Sequence, residues 1–85
     1  VKPVVVDVRE KNEWDSGHIA GAIHIPLGQI PARLAELNPG RHIVVYCRSG
    51  SRSSNAASIL KKNGFKDVRN LAGGMIAWEM AGRQG

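Results

Sequence analysis

Short apolar runs alternate with amphipathic stretches along the chain, which predicts an α/β fold. The expected form is a small parallel sheet of about four strands, flanked by helices on both faces. Two features carry this expectation. Val4-Val5-Val6-Asp7-Val8 and Ile43-Val44-Val45-Tyr46 are β-branched runs suited to strands buried on both sides. Helical spacing, rather than strict alternation, fills most of the intervals between such runs, and no repeat or low-complexity tract interrupts the order.

The elements follow in sequence. The first strand, residues 4–8, ends on the charged pair Asp7 and Arg9. Lys11-Asn12-Glu13-Trp14-Asp15 reads as one helical turn stopped by Ser16-Gly17. Ala22-Ile23-His24-Ile25 is a second strand closed by Pro26. Residues 29–37 place Ile30, Leu34 and Leu37 on one helical face, and Asn38-Pro39-Gly40 ends that helix. After the strand at 43–46, residues 54–62 carry Ala56, Ala57, Ile59 and Leu60 at helical spacing. Asn63-Gly64 supplies a left-handed cap there, with Lys61 and Lys62 in the last turn, where the helix dipole favours cations. Residues 67–71 form a fourth strand, and Gly73-Gly74 opens a closing helix with Ile76, Ala77 and Met80.

Eighty-five residues are enough for one domain over 1–85, with a single compact core. No apolar stretch approaches the ~20 residues of a membrane span, so no membrane partner is expected. Twelve Lys and Arg against seven Asp and Glu give a net charge of +5. Those bases are scattered and interleave with few aromatics, unlike a nucleic-acid-binding face; attraction of small anions toward one positive mouth fits better. One cysteine excludes an internal disulfide and any CxxC metal or redox pair, and it fits a reducing, cytoplasmic compartment.

That cysteine is the centre of the functional reading. Cys47-Arg48-Ser49-Gly50-Ser51-Arg52-Ser53 lies where a strand gives way to a helix, at the carboxyl edge of the sheet where α/β folds bind ligands. A polar loop there turns backbone N–H groups toward the sulfur, at the positive end of a helix. Lowering a thiol pKa by about two units corresponds to roughly 2.7 kcal/mol. A helix terminus gives only about 0.3–1 kcal/mol, so loop N–H groups and Arg48 or Arg52 are expected to supply the rest. A structural cysteine would need none of these neighbours, so the run reads as a nucleophile beside an anion site.

Other candidates are weaker. His18, His24 and His42 fit no zinc spacing, and His18 in its turn is expected to hydrogen-bond backbone. Asp7, Arg9, Glu10 and Glu13 form a charge cluster, read as an Arg9–Glu13 ion pair bracing the turn rather than a catalytic carboxylate pair. Trp14 and Trp78 read as core or lid aromatics. Gly73-Gly74 is too short for a dinucleotide loop.

Three segments resemble the rhodanese (thiosulfate sulfurtransferase) homology domain, in its small single-domain form. Asp7-Val8-Arg9-Glu10, Glu13-Trp14 and Gly17 through Pro26 resemble the N-terminal signature. Residues 47–53 resemble the active-site loop, and Leu71-Ala72-Gly73-Gly74-Met75-Ile76-Ala77-Trp78 resembles the C-terminal signature. The resemblance implies that Cys47 takes a sulfane sulfur from an anionic donor such as thiosulfate and passes it, as a persulfide, to a thiol, a protein acceptor or cyanide. It implies Arg48, Ser49, Gly50, Ser51, Arg52 and Ser53 as the binding loop, Asp7 and Arg9 as supporting residues, and no cofactor or metal. Family domains usually begin with an extra helix and strand before the Asp-x-Arg segment; only Val1-Lys2-Pro3 precede the first strand here, so either a shortened branch with a reduced sheet or removal of residues is expected. Some short relatives are exported, which makes a periplasmic or exported location the alternative to the cytoplasm. Two other functions stay open: a cysteine-dependent phosphatase or arsenate reductase, and a binding-only module. The tyrosine-phosphatase signature has five residues between cysteine and arginine. Here four separate Cys47 from Arg52, and position 53 is serine.

Overall fold

The computed structural model describes residues 2–80. Four parallel strands, β1 (Val4–Asp7), β2 (Ile23–His24), β3 (Ile43–Tyr46) and β4 (Val68–Asn70), form one sheet in the order β2-β1-β3-β4. The helices are α1 (Lys11–Asp15), α2 (Ser51–Lys62) and α3 (Gly74–Met80).

Pleating explains why both faces are covered. Val4, Val6, Ile43, Val45 and Cys47 point into one core with Ala56, Ala57 and Leu60 of α2. Val5 and Tyr46 point the other way, into a smaller core with Ile19, Leu71, and Met75 and Trp78 of α3. Successive residues Tyr46 and Cys47 therefore serve opposite faces, and the cysteine side chain leaves the sheet on the α2 side. Among the described residues, no helix is long and apolar enough to cross a membrane.

β1, β2 and β4 are shorter than the expected 4–8, 22–25 and 67–71, and the helices depart from expectation in two places. The helix over 29–37 is instead two 3₁₀ segments, Leu27–Gln29 and Pro31–Glu36. Pro31 cannot donate a backbone hydrogen bond, and Arg33 leaves helical geometry at φ −116°, ψ 17°. The apolar side of this stretch still packs, because Ile30, Leu34 and Leu37 reach the larger core. The helix expected from Ser54 begins at Ser51, three residues earlier. Gly50 takes a left-handed φ of 117°, and its carbonyl accepts the Ser54 N–H at 3.0 Å. Ser51, Arg52 and Ser53 thus form the first turn of α2 rather than the end of a loop.

Candidate active site

Cys47 directly follows β3, and its loop is tied down from the far side. The carbonyls of Cys47 and Arg48 accept N–H groups from Met75 (2.8 Å) and Ile76 (3.1 Å), at the start of α3. Gly74 makes that approach possible. Its φ is +55°, and a Cβ there would collide with the Cys47 carbonyl oxygen and stand 2.7 Å from the Arg48 oxygen. With these carbonyls held outward, amides of the loop can turn to the sulfur. Gly50 donates its N–H to Sγ at 3.1 Å.

Ser53 reaches the same atom from the first turn of α2, with its hydroxyl 3.4 Å from Sγ. Cys47 is 1% exposed and Ser53 fully buried. Burial alone pushes the thiol pKa up, but the Ser53 hydroxyl and the N–H groups of Ser53, Gly50 and Ser49 together outweigh it. The pKa falls to about 7. The leading donors are a hydroxyl and loop N–H groups, while Arg52 is the cation that feels the Cys47 charge through space.

The two arginines are placed differently from each other. Arg52 holds Glu13 of α1 in a two-pronged ion pair, Nη1–Oε1 at 2.7 Å and Nη2–Oε2 at 2.9 Å. The Arg52 hydrogen bonds lead the causes that hold the Glu13 carboxyl down to about 2. Arg48 is exposed and joins none of the ion pairs among the described residues. Ser49 and Ser51 are exposed at the loop surface.

The expected Arg9–Glu13 pair is also replaced. Arg9 instead grips Asp7, with Nε 3.0 Å from Oδ1 and Nη2 2.8 Å from Oδ2, while Asp7 Oδ1 also accepts the Arg9 N–H at 2.9 Å. The pairing follows from position: Asp7 is fully buried at the end of β1, and a buried carboxylate needs the nearest cation. Arg9 Nη2 further donates to the Gly17 carbonyl at 2.7 Å, and its guanidinium lies 5.6 Å from the centre of the Tyr46 ring. Asp7 and Arg9 brace the strand ends and make no hydrogen bond to Cys47. Glu13 turns to Arg52 and also accepts the Glu10 N–H at 3.1 Å.

The histidines face protein oxygens. His18 Nδ1 lies 3.0 Å from the Trp14 carbonyl, as expected, and His24 Nε2 lies 2.8 Å from the Arg9 carbonyl. Their rings stack on Trp14 at centroid distances of 3.4 and 4.8 Å, and His42 stands beside Asp67. Among the described residues, no three His, Cys, Asp or Glu side chains gather as metal ligands.

One residue escaped the sequence reading. Asn70, last in β4, accepts from Ser53 at 2.6 Å and donates to the Gly50 carbonyl at 3.1 Å. The available signal was a polar residue closing the strand next to the cysteine strand, since Asn70 registers with Val45 in the parallel ladder.

Comparison with known proteins fits this arrangement. Residues 1–81 match the family described as Rhodanese-like domain. YrkF of Bacillus subtilis, a candidate sulfur carrier protein, is 47% identical over 74 residues, covering 87% of this chain and 40% of YrkF. A protein named sulfurtransferase from Allochromatium vinosum is 42% identical over 79 residues, 93% of this chain and 74% of its own length. The crystal structure of a rhodanese-related protein from Thermoplasma volcanium superposes with a TM-score of 0.87 at 32% identity, covering 93% of this chain and 78% of that one. The chain spans 40% of YrkF and 61% of YqhL from the same bacterium, less than two thirds of either. Sequence, strand order and cysteine loop agree on one conclusion: the chain belongs to the rhodanese-like domain family.

Proposed function

We propose that the domain carries sulfane sulfur on Cys47, taking it from an anionic donor such as thiosulfate and passing it to a thiophilic acceptor. The observation that carries this reading is the sulfur itself, which is buried yet held by Gly50, Ser53 and Ser49 donors at a pKa of about 7. A pKa lowered to about 7 makes the thiolate far more abundant at neutral pH than in a free cysteine. A thiolate with a pKa near ambient pH also keeps more intrinsic nucleophilicity than a strongly acidified one.

The chemistry balances without a cofactor. The Cys47 thiolate attacks the outer sulfur of thiosulfate, the S–S bond of the donor breaks, and sulfite leaves with the electron pair. The negative charge then sits on the terminal sulfur, one S–S bond beyond Sγ, where N–H groups of the same loop can stabilise it. An acceptor thiolate or cyanide attacks the terminal sulfur, and Cys47 leaves as thiolate. The tight turn supports a one-atom cargo. Gly50 caps α2 and points its N–H at Sγ, and four residues separate Cys47 from Arg52, one fewer than in the tyrosine-phosphatase signature.

Intact-mass measurement tests this reading. Thiosulfate should add the mass of one sulfur atom to the wild-type chain, and cyanide should remove it with release of thiocyanate. Cys47→Ser should show neither the adduct nor turnover. Full turnover in that variant would overturn the assignment. The rate of alkylation by iodoacetamide should rise through a midpoint near pH 7 and fall as the thiolate is protonated below it.

A further inference from the structure

The hydroxyl of Ser53 has one proton and two claimants. It lies 2.6 Å from Asn70 Oδ1 and 3.4 Å from Cys47 Sγ. The Asn70 amide orientation is fixed by its other end, where Nδ2 donates to the Gly50 carbonyl at 3.1 Å; a flipped amide would press two oxygens together. Oδ1 therefore faces Ser53 and can only accept. At 2.6 Å the hydroxyl proton belongs to Asn70, and a Ser53 lone pair is left toward the sulfur. That arrangement suits a protonated thiol, whose S–H can donate to Ser53. It does not suit a thiolate, which needs the hydroxyl proton turned toward it.

We infer that Asn70 is a positioning residue that competes with Cys47 for the Ser53 proton, making Ser53 a two-position switch tied to the charge on the sulfur. The inference rests on reading Cys47 as the reactive atom. Loss of the sulfur's proton swings the hydroxyl from Asn70 to Sγ, and return of a proton swings it back. The S–H bond breaks and its proton goes to solvent; every other change is in hydrogen bonds. The competition limits how far the thiol is acidified and holds it near neutral pH. The charged groups facing the site are few. Arg52, on α2, is the cation that feels the Cys47 charge, and Glu13 and Glu10 from the α1 side act on Arg52 in turn. Asn70, from β4, brings no charge.

The test is the pH midpoint of Cys47 alkylation, which needs no sulfur donor. Asn70→Ala leaves the hydroxyl to the sulfur alone and should lower the midpoint by about half to one pH unit. Asn70→Asp holds the proton harder and adds negative charge, so it should raise the midpoint. Ser53→Ala should raise it by about one unit. The decisive comparison is Asn70→Ala in a Ser53→Ala background, where its effect should vanish. Asn70 also bonds Gly50, and an effect transmitted through that carbonyl would survive loss of the hydroxyl. Persistence of the Asn70→Ala shift without Ser53, or shifts of one sign for Ala and Asp, would overturn the inference. Asn70 is exposed and Ser53→Ala removes a single buried oxygen, so these variants should fold, and circular dichroism checks this. The sulfurtransfer reading fails separately, through absence of the thiosulfate adduct on wild-type Cys47.

Discussion

At the carboxyl end of β1 a full ion pair is sealed into the fold, whereas at the end of the neighbouring β3 a single sulfur is held mainly by neutral donors. Asp7 and Arg9 are 0% and 5% exposed and meet through a forked guanidinium–carboxylate contact. Cys47 is equally buried but meets an amide and a hydroxyl. The contrast follows from what each site must tolerate. Two opposite charges in a low-dielectric setting hold each other in one state, and the Arg9 pKa is raised further, chiefly by its hydrogen bonds to Asp7. Neutral dipoles stabilise a thiolate yet lose little when the sulfur is protonated, so the sulfur can change charge while the scaffold stands still.

The comparison is tested most severely by Asp7→Ala. It strands the Arg9 charge in a site it cannot leave, because Arg9 also anchors the Gly17 turn. Removing one partner of a buried pair costs about 3–5 kcal/mol, a large part of the stability of a small domain. Urea denaturation should show this as a lower midpoint with little change in slope. Cys47→Ala, which removes a small side chain held by weaker donors, should cost about 1 kcal/mol. Equal losses in the two variants would erase the distinction between brace and site.

Gly74→Ala strikes the scaffold behind the sulfur. A left-handed residue with a methyl against the Cys47 and Arg48 carbonyls costs about 1–3 kcal/mol and should push the loop off α3. The N–H donors then lose their aim, and the alkylation midpoint should rise toward that of a free thiol. An unchanged midpoint would mean that the loop holds its shape without α3.

These cases show what the chain made legible. Strand positions could be read because β-branched runs such as 43–46 declare buried strands, and that strand falls where expected. The cysteine stands out in the sequence because a structural cysteine needs no Arg, Ser, Gly, Ser and Arg after it, although Gly50 at φ 117° also turns the chain into α2. Ion-pair partners could not. Glu13 is four residues from Arg9, a helical spacing that suggested a pair, yet Asp7 claims Arg9 through burial and Glu13 goes to Arg52, 39 residues away. The 29–37 stretch does not declare its helix type, because its apolar spacing suits a 3₁₀ path around Pro31 as well as an α-helix. Asn70 was missed for a similar reason: its role exists only once β4 lies beside β3.

The smallest expected effect separates the two arginines, which the sequence treats alike as donor-binding charges. Arg48 is exposed and stands outside the ion pairs, so it should attract an anionic donor, but water and salt screen the contact. Arg48→Ala should therefore raise KM for thiosulfate about two- to fivefold at low ionic strength, with the difference fading as salt shortens the screening length. Arg52 is already occupied by Glu13 at 2.7 and 2.9 Å, so Arg52→Ala should change KM less than Arg48→Ala does. Glu13→Gln is the converse experiment. Removing the carboxylate charge loosens the fork and leaves Arg52 a net cation beside the sulfur, and KM should then fall. Acid should mimic that substitution only as pH drops through about 2, because the ion pair depresses the Glu13 pKa that far. Its contribution to stability is thus complete above the ordinary Glu range and is lost on the way down to that pH. A KM for Arg52→Ala as high as for Arg48→Ala, together with no change in Glu13→Gln, would mean that Arg52 meets the donor directly despite its partner.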